Sequence, residues 1–278
     1  GENFVVEFNR RSGLITRYEA NGRQLLLDGA SLRPNFWRAP TDNDFGAGLQ
    51  RRYEAWKNPE MKVESFEGRM DGKLAVVNVT FGIESLSAKL LYEYRIDAQG
   101  AIRISQKLVT TPGAKVSEFF RFGMRMEMPE SFEYLQYYGR GPMENYADRN
   151  NCSLLGIYKQ TVTEQFYPYI RPQETGTKTD LRWWRVLDRS GRGIEVISEA
   201  PFSASALHYS IETLDDGPKK LQRHSHELDQ DPLTSLCIDK VQMGLACEDS
   251  WGAIPRPEYR LPYQDYEFVF IIKPISLY

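Results

Sequence analysis

The residues in this chain that could do chemistry are few, and most lie in polar stretches rather than in apolar alternation. The histidines are His208, His224 and His226. A histidine facing a carboxylate can act as general acid and base. His208, in Ser205-Ala206-Leu207-His208-Tyr209, sits at a predicted strand end from which it could reach a concave face. His224-Ser225-His226 alternates as a strand would, which places both rings on one face, and such a pair could begin a zinc site. The rest of a ligand set is missing, so a structural or solvent-facing role is the plainer account of all three. Cys152, Cys237 and Cys247 show no metal-like spacing, and their odd number argues against a disulfide framework. They read as reduced, structural thiols.

Two clusters pair guanidinium and carboxylate groups. Arg38 with Asp42, Asn43 and Asp44 could grip vicinal hydroxyls through bidentate hydrogen bonds. The competing account is self-bracing, in which Asp and Asn side chains hold turn amides, an Asp–Arg pair locks the loop, and Asp44 or Asn43 caps a helix. The bracing account is preferred, and the same holds for Arg140, Glu144, Asn145, Asp148 and Arg149. Gly139 and Gly141 beside them suggest a backbone that only glycine adopts easily. Trp251 stands in Glu248-Asp249-Ser250-Trp251-Gly252, a setting that predicts a loop tip. An indole there could lie against the C–H face of a sugar, or anchor the loop on its own sheet. Asp249 reads as a brace for Trp251. Of Trp183 and Trp184, between Arg182 and Arg185, one is expected in the core and the other at the rim.

The elements that must position these residues are strands. Aromatic residues make up 13% of the 278, an abundance suited to pleated, half-buried surfaces. Leu90, Tyr92, Tyr94 and Ile96 alternate with Glu93, Arg95 and Asp97, and Ile102, Ile104 and Leu108 alternate with Arg103, Ser105 and Lys107. The turn Asp97-Ala98-Gln99-Gly100 joins the two runs as an antiparallel hairpin. Further strands are predicted at Phe4–Phe8, Leu14–Glu19, Leu74–Ile83, Gly193–Ser198, Leu233–Ile238 and Tyr263–Ile272. Helix is predicted once, over Ala47–Lys57, where Leu49, Tyr53 and Trp56 repeat at i, i+4 and i+7. The stretch Tyr137–Arg182, rich in Gly, Pro, Asn and Asp, predicts long ordered loops. No linker interrupts the chain, so residues 1–278 read as one all-β domain, a large sandwich.

Composition narrows the partners. A net charge of -3 with no basic stripe makes nucleic acid and anionic membrane poor candidates. No apolar run approaches the roughly 20 residues of a membrane span. The N-terminus lacks the charged-then-apolar layout of a secretion signal, and the compartment, cytoplasm or periplasm, stays open.

Three blocks go beyond pattern: Asn35-Phe36-Trp37-Arg38-Ala39-Pro40-Thr41-Asp42-Asn43-Asp44-Phe45-Gly46, Tyr138-Gly139-Arg140-Gly141-Pro142-Met143-Glu144-Asn145-Tyr146-Ala147-Asp148-Arg149, and Met243-Gly244-Leu245-Ala246-Cys247-Glu248-Asp249-Ser250-Trp251. In order and length they resemble the signature blocks of the C-terminal domain, or small chain, of glycoside hydrolase family 2 β-galactosidases. The resemblance runs nearly end to end. It takes in the Phe8-Asn9-Arg10 hairpin, the Tyr167–Gly176 loop and Phe202–Tyr209.

That resemblance implies a β-supersandwich related to galactose mutarotases. It further implies a partner, the catalytic TIM barrel of the same or a partner chain, that carries both catalytic glutamates and acts on a β-galactoside. The domain would close one side of the pocket, with Trp251 as the platform for the non-galactose portion. No cofactor is implied for this chain; Mg2+ and Na+ would belong to the barrel. Retaining glycosidases need two carboxyl groups about 5–5.5 Å apart. The family's Asn-Glu pair is absent here, because Glu144-Asn145 reverses the order and Glu2-Asn3 is terminal. The chain alone is therefore expected to lack glycosidase activity. Two rivals remain: an aldose-1-epimerase-like mutarotase using His208 with a carboxylate, and a free-standing carbohydrate-binding module.

Overall fold

A segment that alternates apolar and polar residues buries its apolar side by lying in a sheet, and strands are the main regular element of this chain. The computed structural model describes residues 1–246, 249 and 251–277. Cys247, Glu248, Ser250 and Tyr278 lie outside the described residues, so the thiol reading of Cys247 and two positions of the Trp251 block rest on sequence.

The first part of the chain runs β1 (Phe4–Asn9), β2 (Leu14–Ala20), β3 (Arg23–Gln24), β4 (Arg33–Asn35), α1 (Asp42–Gly46), α2 (Leu49–Arg52), β5 (Lys62–Asp71), β6 (Leu74–Ile83), β7 (Ala88–Ile96) and β8 (Ile102–Thr110). It continues through β9 (Arg121–Pro129), β10 (Tyr134–Gly141), β11 (Leu154–Thr161), β12 (Lys178–Leu187), β13 (Arg192–Leu207), α3 (Ile211–Leu214), β14 (Leu233–Gln242) and β15 (Tyr266–Ser276). β1, β2 and β3 make a small sheet; the other twelve strands form a single antiparallel sheet in the order β11-β10-β12-β13-β15-β8-β7-β6-β5, with β14 joining β13 to β9 and β4 on the far side of β9.

The all-β, mostly antiparallel class expected from the alternation is the one observed. Its two layers come from one curled sheet, and the fork is β13. Residues Arg192–Ser198 pair with β15, whereas Ser203–Leu207 pair with β14. Between them Glu199, Ala200 and Pro201 are exposed, and Pro201 stands where no ladder bond is needed. β9 is buried on both faces. Its Phe122, Met124, Met126 and Met128 join the apolar core, and Gln106 of β8 donates to Gly123 O at 3.1 Å. The opposite face of β9, carrying Arg121, Arg125 and Glu127, lies under the connecting loops.

The predicted β7–β8 antiparallel hairpin is present, with Tyr94 opposite Ile104 and Ile96 opposite Ile102. Its turn is closed by Asp97, whose Oδ1 accepts from Gln99 N and Ala101 N, both at 2.9 Å. Other expectations need correction. The Tyr137–Arg182 stretch holds most of β10, all of β11 and the start of β12, so only two loops remain there. β11 is an edge strand with little burial on either side, and no alternation betrays it. The single helix Ala47–Lys57 is instead α2, which starts only after Gly48 at φ 69°, followed past Tyr53 (φ -104°, ψ 8°) by a 3₁₀ turn at Glu54–Trp56. Leu49, Tyr53 and Trp56 are nevertheless buried as their spacing predicts. The cap of α1 is Thr41, whose side chain accepts from Asp44 N at 3.2 Å while Asp44 returns to Thr41 N at 2.8 Å. The last strand starts at Tyr266, since the Tyr263 hydroxyl is drawn to Leu86 O and Ser87 O. His224 caps a 3₁₀ turn at Ser225–Glu227 and His226 lies within it, so neither is in a strand, although their rings do stack at 5.6 Å.

Candidate functional site

Three side chains from elsewhere in the chain hold the backbone that leads into Trp251. Arg38, fully buried, donates through Nη1 to Met243 O at 2.7 Å and through Nη2 to Gly244 O at 3.1 Å. Asn43 Nδ2 donates to Leu245 O and Ala246 O, both at 3.3 Å. Asp148 accepts from Leu245 N at 3.0 Å and Ala246 N at 2.8 Å. A Cβ on Gly244 would sit 2.4 Å from Asp148 Oδ2, so the carboxylate approaches this closely only because residue 244 is glycine. Ala246 is held at φ 53°, a conformation alanine rarely adopts. Beyond this clamp, Asp249 Oδ1 accepts from Trp251 N at 2.9 Å and Ala253 N at 3.3 Å. Trp251 itself is 89% exposed, its indole presented to solvent.

The clamp forms one wall of a polar cleft of about 500 Å³ that also touches Asp42, Asn43, Arg149, Tyr169 and Gln173. Asp42 Oδ1 accepts from Arg171 Nε at 3.0 Å and Lys220 Nζ at 2.7 Å. Partial burial pushes the Asp42 carboxyl up, but these two cations outweigh it and hold it below the ordinary aspartate range. Asp44 is no candidate for reaching a ligand: it is buried in a bidentate pair with Arg38, at 3.0 and 2.7 Å.

The second cluster has a hub at Glu144. It accepts from Arg149, Thr175 Oγ1 at 3.0 Å, Gly176 N at 2.8 Å and the Tyr169 hydroxyl. Burial and this hydrogen bond push the Tyr169 phenol up to about 12. Asn145 is buried; its amide donates to Arg140 O at 3.1 Å and Met143 O at 3.0 Å while its oxygen accepts from Thr179 N at 3.0 Å. Arg140 pairs with Asp180 and donates to Ser153 O at 2.9 Å. In both clusters, then, most of the polar groups are spent on joining loops to one another.

The beta-galactosidase small-chain family model matches residues 1–272. The chain belongs to the β-galactosidase small-chain family. Relatives at this level include the β-galactosidase of Priestia megaterium, 33% identical over 99% of this chain, and that of Lactobacillus delbrueckii subsp. bulgaricus, 32% identical over all of it. The chain spans only 26% and 27% of the lengths of those two relatives. Among solved structures it is similar to a galactose mutarotase related enzyme from Lactobacillus acidophilus, with a TM-score of 0.49, 10% identity, and coverage of 99% of this chain and 96% of that one. A galactose 1-epimerase from the same species gives a TM-score of 0.49 at 9% identity, covering 99% and 92%.

In this small chain His208 is buried just past β13, with Nε2 2.6 Å from Glu133 Oε2 and Nδ1 2.9 Å from Leu233 O. Both ring nitrogens are thus engaged in tying β13 to its neighbours. Trp184 is in the core, and Trp183 is half-buried under Arg185 at 4.5 Å. Cys237 is buried but Cys152 is exposed, so a packing role fits only the first. Among the described residues no three His, Cys, Asp or Glu side chains group as metal ligands.

Sequence reasoning missed the polar face of β9. Arg121 is buried between Glu174 at 3.2 Å and Asp239 at 3.3 Å, Arg125 pairs with Glu212, and Arg33 of β4 reaches Glu127 at 2.8 Å. Burial pushes the Asp239 carboxyl up, with Arg121 pulling against it. The signal was present, because Arg121 to Met128 alternates charged or small residues with Phe and Met. Glu174 links this layer to the loop cluster through Thr177 Oγ1 at 2.9 Å.

Proposed function

We propose that this chain, as one domain, is the non-catalytic wall of a β-galactosidase active site. In this reading Trp251 is the aromatic platform for the aglycone, and a catalytic TIM barrel in the same or a partner chain hydrolyses terminal β-D-galactosides by the retaining mechanism. One observation carries the reading: a fully presented indole stands at the end of a backbone segment that Arg38, Asn43 and Asp148 hold peptide by peptide. An indole held only as a loop anchor would bury its ring, whereas a platform must keep its face open while its stem stays fixed. Arg38, Asp44, Arg140, Glu144, Asn145 and Asp249 then serve as loop supports, and Asp42 and Asn43 stand at the cleft. The two carboxylates, and the Mg2+ and Na+ sites, would be on the barrel.

The test is Trp251→Ala in the full-length protein. An exposed ring contributes little to folding, so the melting temperature should hold. Acceptor-sugar transfer and lactose KM should worsen by the roughly 1–2 kcal/mol an aromatic platform supplies, about tenfold. Unchanged lactose kinetics and unchanged transfer would remove Trp251 from the site.

The mutarotase reading has less support, since His208 is buried with both nitrogens engaged. A free-standing binding module would need no barrel. Capture of a barrel-bearing polypeptide by this chain distinguishes the wall from the module.

A further inference from the structure

A second cleft, also about 500 Å³, lies on the other side of Tyr169 and Arg149, which line both. Lys178, the first residue of β12, lines it and is only 3% exposed. Its ammonium has one protein acceptor, Gly176 O at 3.3 Å, although an ammonium carries three donors. Burial lowers its pKa to about 8, and the nearby Glu144 carboxylate only partly offsets this. Tyr167 lines the same cleft and is 57% exposed. Its ring rests 4.7 Å from that of Tyr169, and its peptide is tied to Thr175, with Tyr167 N donating to Thr175 Oγ1 at 3.1 Å. An open aromatic face is therefore held in place by backbone bonds.

The formal charges around the cleft cancel: Lys178 and Arg149 against Glu144 and Glu164. Glu144 is already saturated by Arg149, Thr175, Gly176 and Tyr169. A carboxylate or phosphate ligand would gain from Lys178 but meet two carboxylates. A neutral polyhydroxylated ring meets no such repulsion, lays its C–H face on the phenol ring, and offers hydroxyl oxygens to the unfilled ammonium donors. We propose that this cleft is a second carbohydrate site, taking a neutral pyranose whose face lies on Tyr167 and whose vicinal hydroxyls accept from Lys178. The site is independent of the Trp251 platform and stands whether or not that platform contacts an aglycone.

The cleft carries its own reporter, the exposed thiol of Cys152. Alkylation of Cys152 by iodoacetamide in the full-length protein is followed by peptide mass spectrometry, with D-galactose, D-glucose or sodium acetate added. One of the sugars slows the modification saturably, about threefold at twice its dissociation constant, as mass action requires. Tyr167→Ala and Lys178→Met each abolish the slowing, while Trp251→Ala leaves it intact. Tyr167→Ala removes a largely exposed ring outside the core, so it tests the site independently of Lys178→Met. No slowing by either sugar, slowing by acetate in their place, persistence in Tyr167→Ala, or loss in Trp251→Ala would each overturn the proposal. Only the last of these involves the Trp251 residue, and the lactose kinetics of that variant still test the platform separately.

Discussion

Replacing Asp148 with alanine removes a side chain that accepts from both Leu245 N and Ala246 N. Backbone hydrogen bonds to a charged acceptor contribute about 1.5–3 kcal/mol each, so losing two that share one carboxylate costs the local structure about 2–4 kcal/mol. Ala246 adds to this, since its φ of 53° is disfavoured by about 1 kcal/mol and persists only while its peptide is held. Arg38 and Asn43 still grip the carbonyls, so the segment loosens without detaching. A local loss of about 3 kcal/mol corresponds to roughly a hundredfold faster amide exchange. Hydrogen–deuterium exchange of the 243–253 peptides should show that acceleration, with the β7–β8 hairpin unchanged as the internal standard. If those peptides exchange at the wild-type rate, the clamp is not what holds the Trp251 stem. If every peptide accelerates together, Asp148 supports the whole fold instead.

Two further substitutions probe neighbouring features. Ala246→Gly relieves the positive φ and should raise stability by up to about 1 kcal/mol in denaturant unfolding; a loss of stability would show that Ala246 is not strained. Lys178 has a folded pKa of about 8 against an ordinary value of 10.5, so the unfolded chain holds the extra proton between those values and stability rises with pH there. The penalty is full below about pH 8, near 3 kcal/mol, and gone above 10.5. Lys178→Met should therefore be the more stable form at pH 7, with its advantage shrinking as pH rises from 8 to 10; a constant difference across that range contradicts the buried-ammonium account.

Much of the scaffold could be read from residue order, and the failures have physical causes. The β7–β8 hairpin was legible because each strand buries one face, so Tyr92, Tyr94, Ile102 and Ile104 alternate cleanly with charged partners. β11 was not, because an edge strand with exposed Leu154 and Ile157 has no inside to mark. Its neighbour β10 was hidden by Gly139 and Gly141, whose bareness serves packing: a Cβ on Gly139 would meet Leu181 at 2.6 Å. The exposure of Trp251 followed from its polar neighbours. The hub at Glu144 did not, since its acceptor contacts to Tyr169, Thr175 and Gly176 join residues 25–32 positions apart and depend on two loops meeting in space. The clamp was half-visible: Arg38 with Asp44 could be paired from spacing, but the hold of Arg38 on Met243 and Gly244 lies about 200 positions along the chain.

The central claim is a division of labour, with this chain shaping the pocket and another part of the molecule breaking the bond. Its most direct test is to assay this chain by itself on a nitrophenyl β-D-galactoside, after circular dichroism has verified the strand-rich fold. The account predicts no turnover above buffer. Hydrolysis at the rate of an ordinary enzyme would contradict it and place the missing carboxylates among these strands.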